Sequence, residues 1–371
     1  METELTKAKD IIAKSEHIAM LLPERPDTDC FVAAEAIARA CGTEGKHLAF
    51  LPAMSPDAAR APDACTRILN PKPLIREFVI SIETALAPVA QLRYEKHEDR
   101  IDIILSPKSS PIRGDSLAFG EGKIQCDALI TLGVPDIDAL PPMASVDPAF
   151  FTETPIINIG NAAPHGSYGE VNLLSAPETS LSEIAYRLLG TIRAKPDPEE
   201  ATLLLSGIMS HTHGFRSSVR QETHRTAAEL MDMSADHDRA SLIARAGEPF
   251  AVRQLVARAS VRSKEAEGGR VLWSFLTSED FEKTGRTPLD APLVSQSLAQ
   301  ALAPHPVSVL LWQDPTVKRV HAALMAERGI LESIVAREPG SFHSPSLVLA
   351  ADFENFAAAE ERITSLLREI L

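Results

Sequence analysis

The stretch Leu203–Ser218, LLLSGIMSHTHGFRSS, joins a run of apolar residues to a polar segment. The apolar half predicts a buried strand, and the polar half, Ser210–Arg216, predicts a turn at the end of that strand. The turn combines hydroxyl, imidazole and guanidinium groups, which can contact a phosphate or a metal ion. We therefore take this turn as the first candidate for a functional site.

Other polar turns follow predicted strands in the same way. Strands are predicted at Lys46–Leu51, Asp127–Leu132 and Pro155–Ile159, and helices at Glu4–Leu22, Cys30–Ala40 and Ser182–Leu189. Strands that alternate with helices predict a mostly parallel sheet, which binds ligands at the carboxyl ends of its strands. Four polar turns are expected to converge at that edge: Pro23–Asp29, Gly133–Asp136, Gly160–Gly166 and Ser210–Arg216.

The composition is that of a globular protein. Of the 371 residues, 44% are hydrophobic and 24% are charged, and this length predicts two domains, with three as the alternative. No run of about 18 apolar residues is present, so we expect no membrane span. The N-terminal residues lack the layout of a signal peptide, and the four cysteines form no C-x-x-C pair. We therefore expect a cytoplasmic protein.

The net charge of −14 limits the partners of the chain. A field of that sign repels polyanions, so no long duplex nucleic acid is expected as a ligand. A nucleotide or a short oligonucleotide in a local basic pocket remains compatible with the charge. The aromatic content of 5% argues against a stacking platform for single strands.

The remaining segments predict an insertion and a second domain. Residues Arg76–Ile82 and Arg100–Leu105 alternate as strands do, and they predict an antiparallel hairpin layer inserted at about 70–110 of a first domain, 1–221. We expect a linker helix over 222–240 and a smaller C-terminal α/β domain over 241–371. Strands of that domain are predicted at Val271–Leu276, Pro306–Trp312 and Ser346–Ala351, before a C-terminal helix at Phe353–Leu371. The predicted fold class is thus α/β.

This order of turns resembles the DHH phosphoesterases, the RecJ-like family that includes nano-RNases, phosphoadenosine-phosphate phosphatases and cyclic-dinucleotide hydrolases. Pro26-Asp27-Thr28-Asp29 matches the family's PDGD motif, and Thr212 with Gly214-Phe215-Arg216 matches its TDT region. The resemblance implies an N-terminal parallel-sheet domain that carries two manganese ions. It also implies a smaller C-terminal domain that closes over the substrate.

Within the resemblance, most of the implied metal ligands are replaced. Asp27 and Asp29 stand where two metal-binding aspartates belong, but the other expected ligands fall on residues of different chemistry. These residues are Pro23, Gly133, Gly160, Asn161, Ala162 and His211. Two hard cations a few ångströms apart need several carboxylates to offset their charge. We therefore predict that the two-metal hydrolysis implied by the family is lost, and that no metal cofactor is held.

The surviving acidic and histidine residues leave two interpretations open. Asp27 and Asp29 are candidates to hold one metal ion with His211, or they cap the helix that follows them. His165, His211 and His213 are candidates for a remodelled site that would suit zinc better than manganese, or they are hydrogen-bonded loop histidines. If the site is active, we expect manganese or another divalent metal.

Further ligand-binding candidates are Asn161, Arg216 and His343. Arg216 is suited to bidentate capture of a phosphate or carboxylate, and the alternative is a structural salt bridge. His343 ends Gly340-Ser341-Phe342-His343, which occupies the place of the family's GGGH loop. The alternative for this segment is an ordinary loop between a helix and a strand.

Three functional hypotheses follow. The leading one is a degenerate DHH-type protein that binds a nucleotide, a short nucleic acid or a protein partner through the cleft between its domains. The second is an active phosphodiesterase or phosphatase on nucleotides or short oligonucleotides, with a rebuilt metal site. The third is a structural or assembly role, with a homodimer as one form.

Overall fold

A computed structural model of the chain describes residues 2–51, 61–85, 87–138, 146, 148–162, 165–193, 195–246, 250–343 and 346–370. The chain divides into two compact units, Met1–Gly247 and Glu248–Leu371. Each unit has its own buried apolar core.

The N-terminal unit alternates helices and strands around an inserted antiparallel segment. Its described elements are α1 (Glu2–Lys14), β1 (His17–Leu21), α2 (Thr28–Thr43), β2 (His47–Phe50), α3 (Thr66–Leu69), β3 (Arg76–Ile82), β4 (Val89–Lys96), β5 (Ile101–Pro107), β6 (Leu117–Ile124), β7 (Ala128–Leu132), α4 (Phe150–Glu153), β8 (Ile156–Gly160), β9 (Val171–Leu174), α5 (Leu181–Ile192), α6 (Pro198–His211), α7 (Gln221–Asp232) and α8 (His237–Ala246).

Five strands form a parallel sheet in the order β2-β1-β7-β8-β9. Every residue of β7 and β8 is buried, as parallel strands covered on both faces require. Helix α2 packs against α5 and α6, and their apolar side chains form the main core with those of the sheet. The predicted α/β class with a mostly parallel N-terminal sheet is confirmed.

The first predicted helix, Glu4–Leu22, is wrong in its second half. Helix α1 ends at Lys14, and His17–Leu21 is strand β1 in the middle of the sheet. The residues from Ile18 to Leu22 are consecutive apolar residues, all buried. Such a run belongs to a fully buried strand, but periodicity alone does not separate it from a helical face. Strand β9 was not predicted.

The apolar half of Leu203–Ser218 is helical, so the predicted strand is wrong. Helix α6 covers Pro198–His211, and its start is set by a capping box between Asp197 and Glu200 with Pro198 at the first helical position. Its residues from Ala201 to Met209 are buried between neighbouring helices. A helix that is apolar on all sides resembles a buried strand in sequence. The turn Ser210–Arg216 therefore follows a helix.

The insertion contains two antiparallel ribbons where one hairpin was predicted. Strand β3 pairs with β6, and β4 pairs with β5. The two predicted strands exist, but they pair with other partners, because part of the charged segment between them belongs to β4. We call residues 76–124 the β-arm.

The predicted linker helix over 222–240 is two helices, α7 and α8. The break lies at Met233–Asp236, where Ser234 has a φ of 66°, a left-handed conformation that an α-helix does not continue through. Among the described residues, no helix has the length and apolar character needed to cross a membrane.

The C-terminal unit is a six-stranded mixed sheet with helices. Its described elements are α9 (Phe250–Val261), β10 (Lys264–Ala266), β11 (Val271–Leu276), α10 (Ser278–Thr284), α11 (Ala291–Ala301), β12 (Val307–Gln313), β13 (Val320–Ala326), α12 (Arg328–Val335), β14 (Gly340–His343), β15 (Ser346–Leu349) and α13 (Phe356–Arg368).

The order of this sheet is β10-β11-β12-β13-β15-β14, and only β11 and β12 run parallel among the described pairs. The three predicted strands appear as β11, β12 and β15. Strand β13, in the middle of the sheet, was not predicted. The segment Gly340–His343, for which a loop was one interpretation, is the edge strand β14.

Candidate functional site

Asp27 caps helix α2. It is exposed, and its Oδ1 accepts a hydrogen bond from the Cys30 N–H at 2.8 Å. A carboxylate here satisfies a free N–H group and favourably meets the positive end of the helix dipole. The geometry therefore agrees with the interpretation of Asp27 as a helix cap.

Asp29 is buried and connects two helices. Its Oδ2 accepts the Leu181 N–H at 2.7 Å, and its Oδ1 accepts the Ser182 N–H at 3.0 Å and the Ser182 hydroxyl at 2.6 Å. Leu181 and Ser182 open helix α5, so the carboxylate satisfies N–H groups that have no partner within that helix. Both oxygens of the expected metal ligand are thus used to dock α5 onto α2.

His211 is the candidate that the fold brings to Asp29. It is the last residue of α6, and its Nδ1 lies 3.9 Å from Asp29 Oδ2. Its Nε2 is buried and has no hydrogen-bond partner among the described residues. Burial raises the pKa of Asp29 to about 6, an effect that His211 opposes and Asp27 reinforces. The pair is a buried acid and an imidazole, and no third His, Cys, Asp or Glu side chain among the described residues completes a metal-binding group.

Gly133, which replaces an expected aspartate, lies in apolar surroundings. Its φ is 69°, and a Cβ there would lie 3.2 Å from Leu181 Cδ1, 3.6 Å from Cys30 Sγ and 4.0 Å from Pro23 Cδ. Pro23 itself replaces an expected histidine. The side chains around this position are therefore packed for a glycine, and they offer no oxygen or imidazole ligand.

Gly160, which replaces the first residue of the family signature, lies against the ring of His165. A Cβ on Gly160 would overlap the imidazole. The ring stacks on Tyr168 with centroids 6.3 Å apart, and its Nε2 lies 3.0 Å from Asn158 Oδ1. Its Nδ1 is buried without a hydrogen-bond partner among the described residues, and burial lowers the pKa of His165. A neutral imidazole thus fills the space of a ligand side chain.

At the other two signature positions, Asn161 makes a structural hydrogen bond and Ala162 has no polar side-chain atom. The Asn161 side chain donates from Nδ2 to the Thr179 carbonyl at 2.7 Å, which ties the end of β8 to the loop before α5. Ala162 is exposed and carries no ligand atom.

The turn after α6 is tight and left-handed. The φ angles of His213, Gly214 and Phe215 are 51°, 70° and 64°. Thr212 is buried and holds the turn, since its hydroxyl donates to Ile208 O at 2.7 Å and accepts the Phe215 N–H at 3.1 Å. Burial, and then the nearby His211, lower the pKa of His213. Arg216 is exposed at the end of this turn.

His343 belongs to the other unit. It ends strand β14, where it is the register partner of Ser346. A Cβ on Gly340 would lie 2.7 Å from the Val348 carbonyl, so this glycine serves close strand packing.

The structure also contains a buried polar network that the sequence analysis missed. Thr131, Asn158 and Asn172 are neighbours across β7, β8 and β9. The Thr131 hydroxyl donates to Asn158 Oδ1 at 3.3 Å, Asn158 Nδ2 donates to Asn172 Oδ1 at 3.0 Å, and the Tyr168 hydroxyl donates to the Val134 carbonyl at 2.7 Å. The available signal was a polar residue inside each of three apolar strands.

These residues do not fit a pair of divalent metal ions. Within the part of the chain that the structure describes, no group of three or more His, Cys, Asp or Glu side chains is placed to hold a metal. The Asp29 carboxylate is committed to α5, and the spaces at Gly133 and Gly160 are filled by other side chains. Several carboxylates would be needed for two such cations.

Comparison with known proteins gives matches in structure alone. No protein-family model and no curated protein sequence matches the chain. An exopolyphosphatase-related protein from Bacteroides fragilis aligns over 100% of this chain and 96% of its own, with a TM-score of 0.65 and 12% identity.

Two further solved structures show weaker likeness. A DHH domain described as a member of the S1p family of ribosomal proteins has a TM-score of 0.49 at 12% identity, over 100% of this chain and 91% of its own. RecJ from Thermus thermophilus in complex with Mn²⁺ has a TM-score of 0.45 at 11% identity, over 98% of this chain and 55% of its own. The fold that the sequence motifs predicted is confirmed, and the chain has the fold of the DHH-family phosphoesterases.

Proposed function

We propose that this chain is a DHH-fold protein without two-metal phosphoester hydrolysis, which retains a binding function at the turns of its N-terminal unit. The observation that carries the proposal is the filling of the former ligand space. The His165 ring occupies the place of a side chain at Gly160, and Leu181, Cys30 and Pro23 surround Gly133. A metal ion would have to displace packed side chains, which is costly in a close-packed interior.

The ligand that we propose is a nucleotide or a short oligonucleotide. Arg216 is exposed at the end of the turn that begins after His211, the residue that lies beside Asp29. Its planar guanidinium fits a phosphate through two parallel hydrogen bonds. His165 and His213 have lowered pKa values, so they are neutral near pH 7 and act as hydrogen-bonding groups. The charge of −14 favours a short ligand over a long duplex.

One experiment tests both parts of the proposal. The purified full chain is incubated with Mn²⁺ and either a dinucleotide or phosphoadenosine phosphate, with an active DHH phosphoesterase as the positive control. We expect no product, and we expect calorimetric titration with Mn²⁺ to show no stoichiometric binding. Nucleotide binding, measured by calorimetry without metal, should weaken at least tenfold in Arg216→Ala, since a charge-assisted contact contributes about 1.5–3 kcal/mol.

The matched control is Arg225→Ala, which removes an exposed arginine from α7 and should leave the affinity unchanged. Metal-dependent turnover that is abolished by both Asp27→Ala and His211→Ala would overturn the loss of hydrolysis and establish the rebuilt-site alternative. Equal binding by the Arg216 and Arg225 variants would remove Arg216 from the ligand site.

A further inference from the structure

The β-arm is built from two consecutive two-stranded ribbons. The chain runs outward through β3 and β4 and returns through β5 and β6, so that each ribbon pairs one outgoing with one returning strand. Backbone hydrogen bonds continue across the joint between them, from Glu83 N to Ser116 O at 3.0 Å and from Lys108 N to Pro88 O at 2.9 Å. The arm is therefore one continuous two-stranded projection from the N-terminal unit.

This arm exposes an unusual number of large apolar side chains. Half of the exposed large hydrophobic residues among the described residues lie within it, although it spans 49 of 371 residues. They are Phe78, Val79, Ile80, Leu92, Tyr94, Ile101, Ile103 and Phe119. Phe78 is 70% exposed and Tyr94 is 71% exposed.

The strand registers place seven of these eight side chains on one face of their ribbon, and Val79 lies on the opposite face of the inner ribbon. In the outer ribbon, Tyr94 pairs with Ile103 and Leu92 pairs with Leu105, whereas the charged Arg93 and Glu95 alternate onto the opposite face.

The inner ribbon is organised in the same way. Ile80 pairs with Phe119, and the Phe78 ring stacks on the Phe119 ring with centroids 5.9 Å apart. Each ribbon thus has one predominantly apolar face.

A two-stranded ribbon whose apolar face is exposed to water has little stability of its own. A two-stranded ribbon without a packed face is marginal in water, and monomeric proteins seldom expose contiguous apolar patches beyond a few hundred Å². At these exposures each of the seven side chains on the apolar faces, which exclude Val79, presents on the order of 100 Å². Together they approach the roughly 800 Å² that one partner buries in a standard-size interface.

The charge of the arm selects a second copy of this chain as the occupant. Residues 76–124 carry seven Lys and Arg against eight Asp and Glu, while the whole chain carries −14. Two acidic copies repel each other wherever their other surfaces meet, and the nearly neutral arm is where they can approach. A symmetric homodimer places the same patch on both sides, so an apolar face meets an apolar face.

We propose that the β-arm is a homodimerisation surface, in which two copies pack their arms with the apolar faces of the ribbons against each other. The proposal concerns a surface separate from the turns that carry the ligand proposal, and it stands or falls independently of hydrolysis. Its components are side chains of Leu92, Tyr94, Ile103 and Phe119 together with their exposed neighbours.

The test is the mass of the full chain in solution, measured by light scattering after gel filtration. Wild type should have twice the monomer mass of 40.1 kDa. The triple variant Tyr94→Ser, Ile103→Ser, Phe119→Ser should fall to the monomer mass. A control variant replaces three residues outside the arm that are equally exposed, Leu242→Ser, Val261→Ser and Leu289→Ser, and should remain dimeric.

A cysteine variant keeps the test decisive if the triple variant does not fold. Ile103→Cys should form a disulfide between two copies under mild oxidation, seen as a doubled mass on a non-reducing gel, whereas Leu242→Cys should not. Of the native cysteines, Cys30, Cys41 and Cys65 are buried, and the half-buried Cys126 is replaced by serine in both variants so that it does not interfere. A monomeric wild type, including one that captures a different protein through the arm, would overturn the proposal, as would a dimer that survives all three serine substitutions.

Discussion

At the scale of single residues, neighbouring side chains fill the space beside two glycines at which the family resemblance predicted metal ligands. Gly160 is accompanied by His165, and Gly133 by an apolar set that includes Leu181 and Cys30. Because this space is filled, a side chain introduced at Gly160 or Gly133 would create a clash before it created a metal site.

This coupling makes a prediction for Gly160→Ala. The added methyl overlaps the His165 ring, so the variant should lose about 1–3 kcal/mol of unfolding free energy, as overpacked interiors do. His165→Ala alone should also destabilise, since it opens a cavity and removes a hydrogen bond to Asn158. The double variant should be more stable than the sum of the two single effects. Urea unfolding followed by far-ultraviolet circular dichroism gives the unfolding free energies of wild type, the two single variants and the double variant. Additive effects of the two substitutions would contradict the contact between residue 160 and the His165 ring.

The sequence predicted, through the family resemblance, that metal ligands are replaced, but it could not show what each remaining residue does. Asp29 looked equally suited to a metal and to a helix end. The choice depends on Leu181 and Ser182, which are about 150 positions away in the chain and supply the N–H groups to its oxygens. No local pattern contains that information.

At the scale of elements, the close packing of α6 against α2 and α5 depends on Gly207. A Cβ at this position would overlap the Ser182 hydroxyl and lie 2.6 Å from Asp29 Oδ1. The missing side chain therefore lets α6 approach the buried carboxylate that docks α5. This explains a glycine inside a helix, where its intrinsic propensity is poor.

Two glycine-to-alanine substitutions in neighbouring helices should have opposite effects. Gly207→Ala should destabilise the N-terminal unit by about 1–3 kcal/mol through overpacking. Gly190→Ala in α5 meets no atom within 4 Å and should stabilise by about 0.5–1 kcal/mol through helix propensity. Thermal unfolding by circular dichroism measures both. Equal shifts in the same direction would show that Gly207 has no packing role.

Two of the mispredicted elements share a physical cause. β1 and α6 are both runs of buried apolar residues, and burial on all sides removes the periodicity that distinguishes strand from helix. β13, which lies between two paired strands at the centre of its sheet, was missed although it is mostly apolar. Strands β11 and β12 of the same sheet, which are also mostly buried, were located correctly, so burial does not explain why β13 was missed.

At the scale of the whole molecule, the two units can be observed separately. The chain has two tryptophans, Trp273 in β11 and Trp312 in β12, and both belong to the C-terminal unit. Tryptophan fluorescence therefore reports the unfolding of that unit, while circular dichroism reports both. This separation allows an electrostatic anchor of the C-terminal unit to be tested alone.

That anchor is Asp280, the third residue of α10, which accepts hydrogen bonds from the N-cap residue Thr277 and binds two arginines. Its carboxylate accepts hydrogen bonds from Arg262 at 2.6 Å and Arg258 at 3.3 Å. Burial raises the pKa of Asp280, but the hydrogen bonds from Arg262 and Thr277 outweigh it and lower the pKa from 3.8 to about 2. Because the folded value lies below the unfolded one, the stabilisation is present above about pH 4 and is lost as the pH falls toward 2.

Asp280→Asn should lower the unfolding free energy of the C-terminal unit by about 2 kcal/mol at neutral pH. The difference from wild type should shrink between pH 4 and pH 2, as the wild-type carboxyl is protonated. Urea unfolding followed by tryptophan fluorescence measures this difference. The control is Asp352→Asn, which removes an exposed carboxylate that pairs with Arg319, and its effect should be much smaller. A loss that is independent of pH would contradict the ionic role of Asp280.

The amino-acid sequence by itself indicated the α/β fold class, because the alternation of helices and strands and the PDTD segment, Pro26–Asp29, are local features. Through the family resemblance it also predicted that several expected metal ligands are replaced. Only the tertiary structure decided that Asp29 docks a helix, that His165 fills the space at Gly160, and that the β-arm leaves its apolar faces exposed. The reason is physical: occupancy and exposure depend on side chains that are distant in sequence, and they are defined only once the chain is packed.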